Sequence, residues 1–182
     1  MIYIITALKA EATYFIEHYQ LQHVANSHFS LYESVEIKLI ISGIGKVQAA
    51  SATTYLLQKF PHEIQKVLNI GICTSTQKSI MIGSLHQIRK IIDLTTTQSY
   101  HIAQSGEAIT CVARALSSAK MVKTPLADME SVAVYLAAKR FSKDITILKI
   151  VSDYTDDNIP KSSTIQALFQ AQEQALKEFL DV

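Results

Sequence analysis

A chain of 182 residues, 48% hydrophobic and 18% charged with a net charge of +1, has the size of one domain and enough apolar residues for a substantial core. That balance excludes a disordered acidic chain and gives no global attraction to polyanions, so nucleic acid is not an expected partner. Arginine stands only at positions 89, 114 and 140, which leaves little equipment for bidentate phosphate binding.

The opening "MIYIITALKAEATYF" reaches Lys9 and Glu11 too soon for a signal-peptide apolar region, and no run of about 18 apolar residues follows. A soluble cytoplasmic protein without membrane contact is expected. In chain order, "IYIIT" reads as a buried strand and "KAEATYFIEHYQ" as a helix. "FSLYESVEIKLIIS" reads as a hairpin about Glu33 and Ser34. "GKVQAASATTYLLQKF" follows as a helix with Val47, Ala50, Ser51, Thr54 and Leu57 on one face, closed by Pro61.

"KVLNIGIC" and "MIGSLHQIRKII" read as strands joined by the polar turn "TSTQKS". The stretch from Thr95 to Thr124 is the least legible, with "AITCVARAL" as a candidate strand. "LADMESVAVYLAAKR" reads as a helix that Pro125 can begin. "ITILKIV" is a β-branched strand stopping at Ser152 and Asp153, "DYTDDNIPKSS" a polar loop, and "STIQALFQAQEQALKEFL" one closing helix that Ser163 or Thr164 can cap. Strands alternating with helices, without repeats or a linker, predict a single α/β domain over 1–182: a central, mixed but mostly parallel twisted sheet flanked by helices.

Ligands of open α/β sheets sit beyond the carboxyl ends of strands, which singles out three acids: Glu11, Glu130 and Asp153. Each has an ordinary reading on local sequence. Glu11 fits a solvated helix residue, Asp153 a loop or capping acid, and Asp128 and Glu130 complements to a helix dipole that would keep Glu130 ionised. Cys73 and Cys111 have no metal-ligand spacing and read as buried free thiols, and the six histidines show no paired spacing, so no metal is expected.

The order of "ALKAEATYF", "SGIGKVQAA", "NIGI", "ADMESVAV" and "KIVSDYTDD" resembles the nucleoside phosphorylase and nucleosidase superfamily, within it the 5′-methylthioadenosine/S-adenosylhomocysteine nucleosidases and related short purine nucleosidases. The resemblance spans nearly the whole chain. It implies a nucleoside phosphorylase-like fold and hydrolysis of the N-glycosidic bond of a purine nucleoside or a 5′-thio-substituted adenosine, with no cofactor.

It further implies that Glu130 accepts hydrogen bonds from the ribose hydroxyls while Met129 packs under the sugar. Asp153 serves the purine N7, with Ser152 orienting its carboxyl, and Glu11 holds and deprotonates the attacking water. Lys149 falls where the nucleosidases carry an arginine, and Asp128 is left as a cap. A homodimer or larger homo-oligomer is implied as well. Acid at the leaving base and base at the water are what an oxocarbenium-like sugar needs.

Two alternatives remain: a phosphorylase with an atypical phosphate site, and a noncatalytic nucleoside-binding homologue. Phosphorylases of the superfamily hold phosphate with arginines, yet residues 1 to 88 contain none, and Glu11 would repel a dianion. "SGIGK" lacks phosphate-loop spacing; Gly43 and Gly45 are expected to turn tightly near the ligand and Lys46 to face solvent. After Asn69 the family's glycines are replaced in "NIGICTSTQ", and the segment that supplies its base-stacking aromatic is short, leaving Tyr100 and Tyr154 as candidates.

Overall fold

The computed structural model describes residues 1–61, 64–113, 121–141, 144–155 and 160–180. The end of the expected segment "AITCVARAL", the middle of "DYTDDNIPKSS" and one of the six histidines, His62, therefore lie outside the described residues.

Strand β1 (Ile2–Thr6) is buried along its length because it is covered on both faces. Alternation sorts its side chains: Ile2 and Ile4 join Phe15 and Phe169 in one cluster, while Tyr3 and Ile5 join Leu56, Ala133 and Val134 in another. The first cluster holds helix α1 (Lys9–His18), the second helix α2 (Lys46–Lys59). Between those helices run β2 (Gln22–His23), β3 (Ser30–Glu33) and β4 (Ile37–Ile41), with β3 and β4 forming the expected hairpin.

Strand β5 (Lys66–Ser75) is the hub. Its first half pairs with β1 in parallel, and its last residues pair antiparallel with β9 (Leu126–Asp128). Along its other edge it pairs in parallel with β10 (Ile145–Tyr154). Strand β10 in turn pairs antiparallel with β6 (Leu85–Asp93), which also carries the short β7 (Ser99–His101). Strands β6, β8 (Glu107–Cys111) and β9 continue in parallel order and bring the sheet back to β5. The ten-stranded sheet therefore rolls shut at one end, with Cys73, Ile109, Leu126, Ile147 and Val151 in a third cluster.

Several boundaries differ from the sequence reading. The segment after Pro125 is a strand first, and its helix α3 (Ser131–Ala138) begins only at Ser131. Leu126, Ala127 and Asp128 are buried on both faces, so they show no alternation to distinguish them from helix. On α2 the buried face is Ala49, Ala52, Thr53, Leu56 and Leu57, and Val47 is 79% exposed. Small residues were chosen there because α2 lies against Ala133 and Ala138 of α3.

The closing helix is two, α4 (Ser162–Ala171) and α5 (Glu173–Leu180). They break at Gln172, whose side-chain Nε2 donates to the Gly83 carbonyl at 2.7 Å. Lys161, not Ser163 or Thr164, is the N-cap residue of α4, and no side chain caps it. Among the described residues no helix is long and apolar enough to cross a membrane.

Candidate active site

A cavity of about 290 Å³ opens where β1, β5, β9 and β10 end. Glu11, Met129, Glu130, Ser152 and Asp153 all line it. Five of the six residues singled out from sequence, contributed by three distant parts of the chain, thus share one hollow.

Glu11 is 2% exposed, which removes the solvated-helix reading. It is the third residue of α1, and its Oε2 turns back over the helix start to accept from the amides of Ala7 at 2.8 Å and Leu8 at 2.9 Å. Its Oε1 accepts from the Ile72 amide at 2.9 Å, which ties the helix to β5. Burial raises its pKa; the amides of Ile72, Leu8 and Ala7 and the Lys149 ammonium oppose that rise. A Cβ on Gly71 would lie 3.0 Å from Glu11 Oε1, so glycine in the middle of this buried strand makes room for the carboxylate.

Glu130 caps α3 in sequence position, but its side chain does not bond the helix amides. Its Oε1 accepts instead from the Gly45 amide at 2.7 Å, across 85 residues of chain. Gly43 and Gly45 have φ of +85° and +96°, the left-handed region in which glycine is unstrained. The dipole argument for an ionised Glu130 is overridden. Burial first, then the neighbouring Asp128 charge, raise its pKa to about 7 against the pull of Lys149 and the Gly45 amide.

Asp128 does more than cap. Its carboxylate accepts from the Ser131 amide at 2.8 Å and hydroxyl at 2.7 Å, and pairs with the Lys149 ammonium at 2.9 Å. Lys149 is 1% exposed and is not among the residues lining the cavity. Burial works against its charge, but Asp128, Glu130 and Glu11 outweigh burial and raise its pKa. It is the counter-ion for the acids around the site.

On β10 the register slips between Val151 and Asp153, so Ser152 is the extra residue of a bulge. The bulge brings two consecutive side chains to the cavity, and the Ser152 hydroxyl donates to Asp153 Oδ2 at 2.5 Å. Cys73 is a buried free thiol in the wall, its pKa driven up by burial. Tyr154 also lines the cavity and donates its hydroxyl to the Ile80 carbonyl at 3.0 Å, whereas Tyr100 lies against Tyr135 and outside the lining.

Lys46, expected in solvent, turns inward and pairs with Asp93, with its ammonium also 3.0 Å from the Thr95 hydroxyl. Gly71 is the site residue that sequence reasoning passed over, and Asp128 reads from sequence only as a cap or a complement to the helix dipole. The signal for Gly71 was present, a glycine inside an apolar strand; the signal for Asp128 was masked by the helix reading of its segment. Arg89 donates to the Gly106 carbonyl at 2.9 Å and Arg140 follows α3; neither lines the cavity, and Arg114 lies outside the described residues.

Comparison with known proteins bears on this arrangement. The family model described as Phosphorylase superfamily matches residues 1–124. A 5′-methylthioadenosine/S-adenosylhomocysteine nucleosidase of Bacillus licheniformis is 35% identical over 87 residues, covering 45% of this chain and only 37% of the relative. The nucleosidase of the same name from Buchnera aphidicola is 24% identical over an alignment of 200 residues, covering 85% of this chain and 79% of the relative.

Among solved structures, a futalosine hydrolase mutant of Helicobacter pylori superposes with a TM-score of 0.84 at 18% identity, over 99% of this chain and 98% of that one. The apo 5′-methylthioadenosine nucleosidase of Arabidopsis thaliana gives 0.81 at 17% identity, over 98% and 95%. These likenesses carry the fold, and the family match runs through β1, α1, the Gly43–Gly45 turn and the β5 hub that build one side of the cavity. By that match over more than half its length, the chain belongs to the phosphorylase superfamily.

Proposed function

We propose that the chain, acting as one nucleoside phosphorylase-like unit over 1–182, hydrolyses the N-glycosidic bond of a purine nucleoside or 5′-thio-substituted adenosine and releases the free base. The observation that carries the reading is the convergence of Glu11, Glu130 and Asp153 on one cavity. The nucleosidase relatives and neighbours lend it chemistry by similarity.

In this reading Glu130, ionised, accepts hydrogen bonds from the sugar hydroxyls, and Met129 lies against the sugar. Asp153, protonated, donates to N7 as negative charge moves into the leaving base. The Ser152 hydroxyl, bonded to Oδ2, leaves the proton on Oδ1. Glu11 accepts a proton from water as it attacks the cationic sugar carbon; its burial raises its basicity, and the three amides fix its orientation. Lys149 holds the acids' charges in balance through Asp128.

Water is favoured over phosphate as the nucleophile because no described arginine reaches the cavity and a carboxylate already occupies its floor. A cytoplasmic homodimer or larger homo-oligomer belongs to the same reading, and light scattering on the purified chain tests it.

The deciding experiment incubates the protein with adenosine, inosine, methylthioadenosine and futalosine-type nucleosides, with and without phosphate, and follows free base by chromatography. Phosphate-independent release is expected. Strict phosphate dependence would replace the reading with a phosphorylase, and binding without release with a noncatalytic homologue. Asp153→Asn should fold, keep nucleoside affinity and lose about 10² to 10⁴ in rate.

A further inference from the structure

We infer that Lys46 and Asp93 form a strut that positions the Gly45 amide against the Glu130 carboxylate, making both of them positioning residues for the sugar-binding acid. The inference rests on the nucleosidase reading for its functional consequence, but its structural half stands apart from it.

The Gly45 amide is the one described donor on Glu130, and it comes from a turn with an exposed tip. Gly43 and Gly45 are both in the left-handed region, and a Cβ at Gly45 would meet nothing within 4 Å. Ile44 between them is 57% exposed. On its upstream side the turn is tied to β1, through Ser42 and Gly43 amides that donate to Thr6 and Ala7 carbonyls at 2.8 and 3.1 Å. Downstream, its Gly45 carbonyl accepts from the Ala49 amide at 3.0 Å as α2 begins, so the turn follows the position of that helix start.

Lys46 ties that helix start across to the sheet. It is the first residue of α2, where a cation opposes the helix dipole, and the first turn of α2 holds no acid to compensate. Helix stability is therefore no reason for a lysine here. Its ammonium spans to Asp93 and Thr95 at the far end of β6, 47 residues along the chain.

Asp93 is a firm anchor. It accepts from the Thr95 amide at 3.1 Å and the Thr96 hydroxyl at 2.9 Å. Burial would raise its pKa, but the hydrogen bonds from Lys46, Thr96 and Thr95 outweigh burial and hold it below the usual carboxylate range. It also sits level with the site: Asp93 is in register with Cys111 on β8, and Cys111 with Asp128 on β9, two residues before Glu130. The strut thus runs from the Gly45 turn to the same row of strand ends that delivers Glu130.

The test reads the Gly45 amide itself. In ¹⁵N spectra of the full chain between about pH 5 and pH 9, a range bracketing the Glu130 titration near 7, the Gly45 proton should lie downfield and move with the carboxylate. Lys46→Met should shift it upfield and abolish that movement, Lys46→Gln should do so in part, and Lys46→Arg should restore it. An unchanged, still titrating Gly45 amide in a folded Lys46→Met would overturn the strut.

With methylthioadenosine as probe, Lys46→Met should raise KM about tenfold, the scale of one charge-assisted hydrogen bond, with a smaller change in kcat. A pair that merely staples α2 to the sheet would lower the melting temperature and leave both the amide titration and KM in place. If the wild-type protein neither binds nor cleaves any nucleoside, the functional reading falls, and the amide spectra still decide the strut.

Discussion

Glu11 and Glu130 are both buried carboxylates on one cavity, and the protein holds them by opposite means. Glu11 takes three backbone amides, two from its own helix start and one from the adjoining strand. Glu130 takes one, from the glycine turn that leads into the neighbouring helix α2, and stands two residues from another acid. Amides are preorganised donors, and three of them on two oxygens fix the orientation of Glu11 more firmly than one fixes that of Glu130. The second arrangement leaves a charge whose cost is still open. In the proposed reaction the proton-accepting base needs the former, and the sugar-binding acid tolerates the latter.

The largest break in this contrast is Glu11→Gln. A glutamine keeps the shape and can still accept on one oxygen, but its NH₂ meets an amide donor and it cannot take a proton from water. Base release is expected to fall about 10²- to 10⁴-fold with nucleoside affinity largely kept, as measured by steady-state rates beside equilibrium binding. Full turnover in this variant would mean that Glu11 is only a helix cap.

Gly71→Ala sharpens the same side. The added methyl would meet Glu11 Oε1 at 3.0 Å, so the carboxylate must move by a few tenths of an ångström or strain the Ile72 amide bond. A misplacement of that kind at a reacting group is expected to lower kcat by about tenfold while KM stays within about twofold. Unchanged kinetics would show that Glu11 has slack the three amides do not suggest.

The contrast also explains what the sequence could and could not reveal. The strands β1, β5 and β10 are apolar runs bounded by polar residues, and the acids beyond them were legible because strand ends are where ligands bind. Two of Glu11's three amide partners, Ala7 and Leu8, are close in sequence, and a glutamate three residues after a helix's N-cap signals them. Glu130's partner lies 85 residues away, as Asp128's partner Lys149 lies on another strand, and no local pattern encodes such a distance. Lys46 read as solvated for the same reason. The β9 strand was lost because burial on both faces erases alternation, and the break at Gln172 because its cause is a carbonyl on a distant turn.

The mildest probe is pH, and its sign is set first by Glu130. Its folded pKa of about 7 lies above the ordinary 4.5, so between those values the native state binds the proton more tightly than the unfolded chain does. Stability from this group is fully present below about pH 4.5 and is lost as pH rises through 7, by on the order of 3 kcal/mol for the pair of states. Glu11, also raised by burial, adds in the same direction, while His86, lowered by burial, works against both as pH rises. Urea unfolding from pH 5 to 8 should therefore show a falling midpoint, and Glu130→Gln should flatten the fall. Sugar affinity should run the other way, tightening as Glu130 ionises, so that the pH which best holds ligand is not the pH which best holds the fold. A midpoint that rises with pH in the wild type would place the Glu130 charge in balance with Lys149 already, and the two carboxylates would then differ in geometry but not in cost.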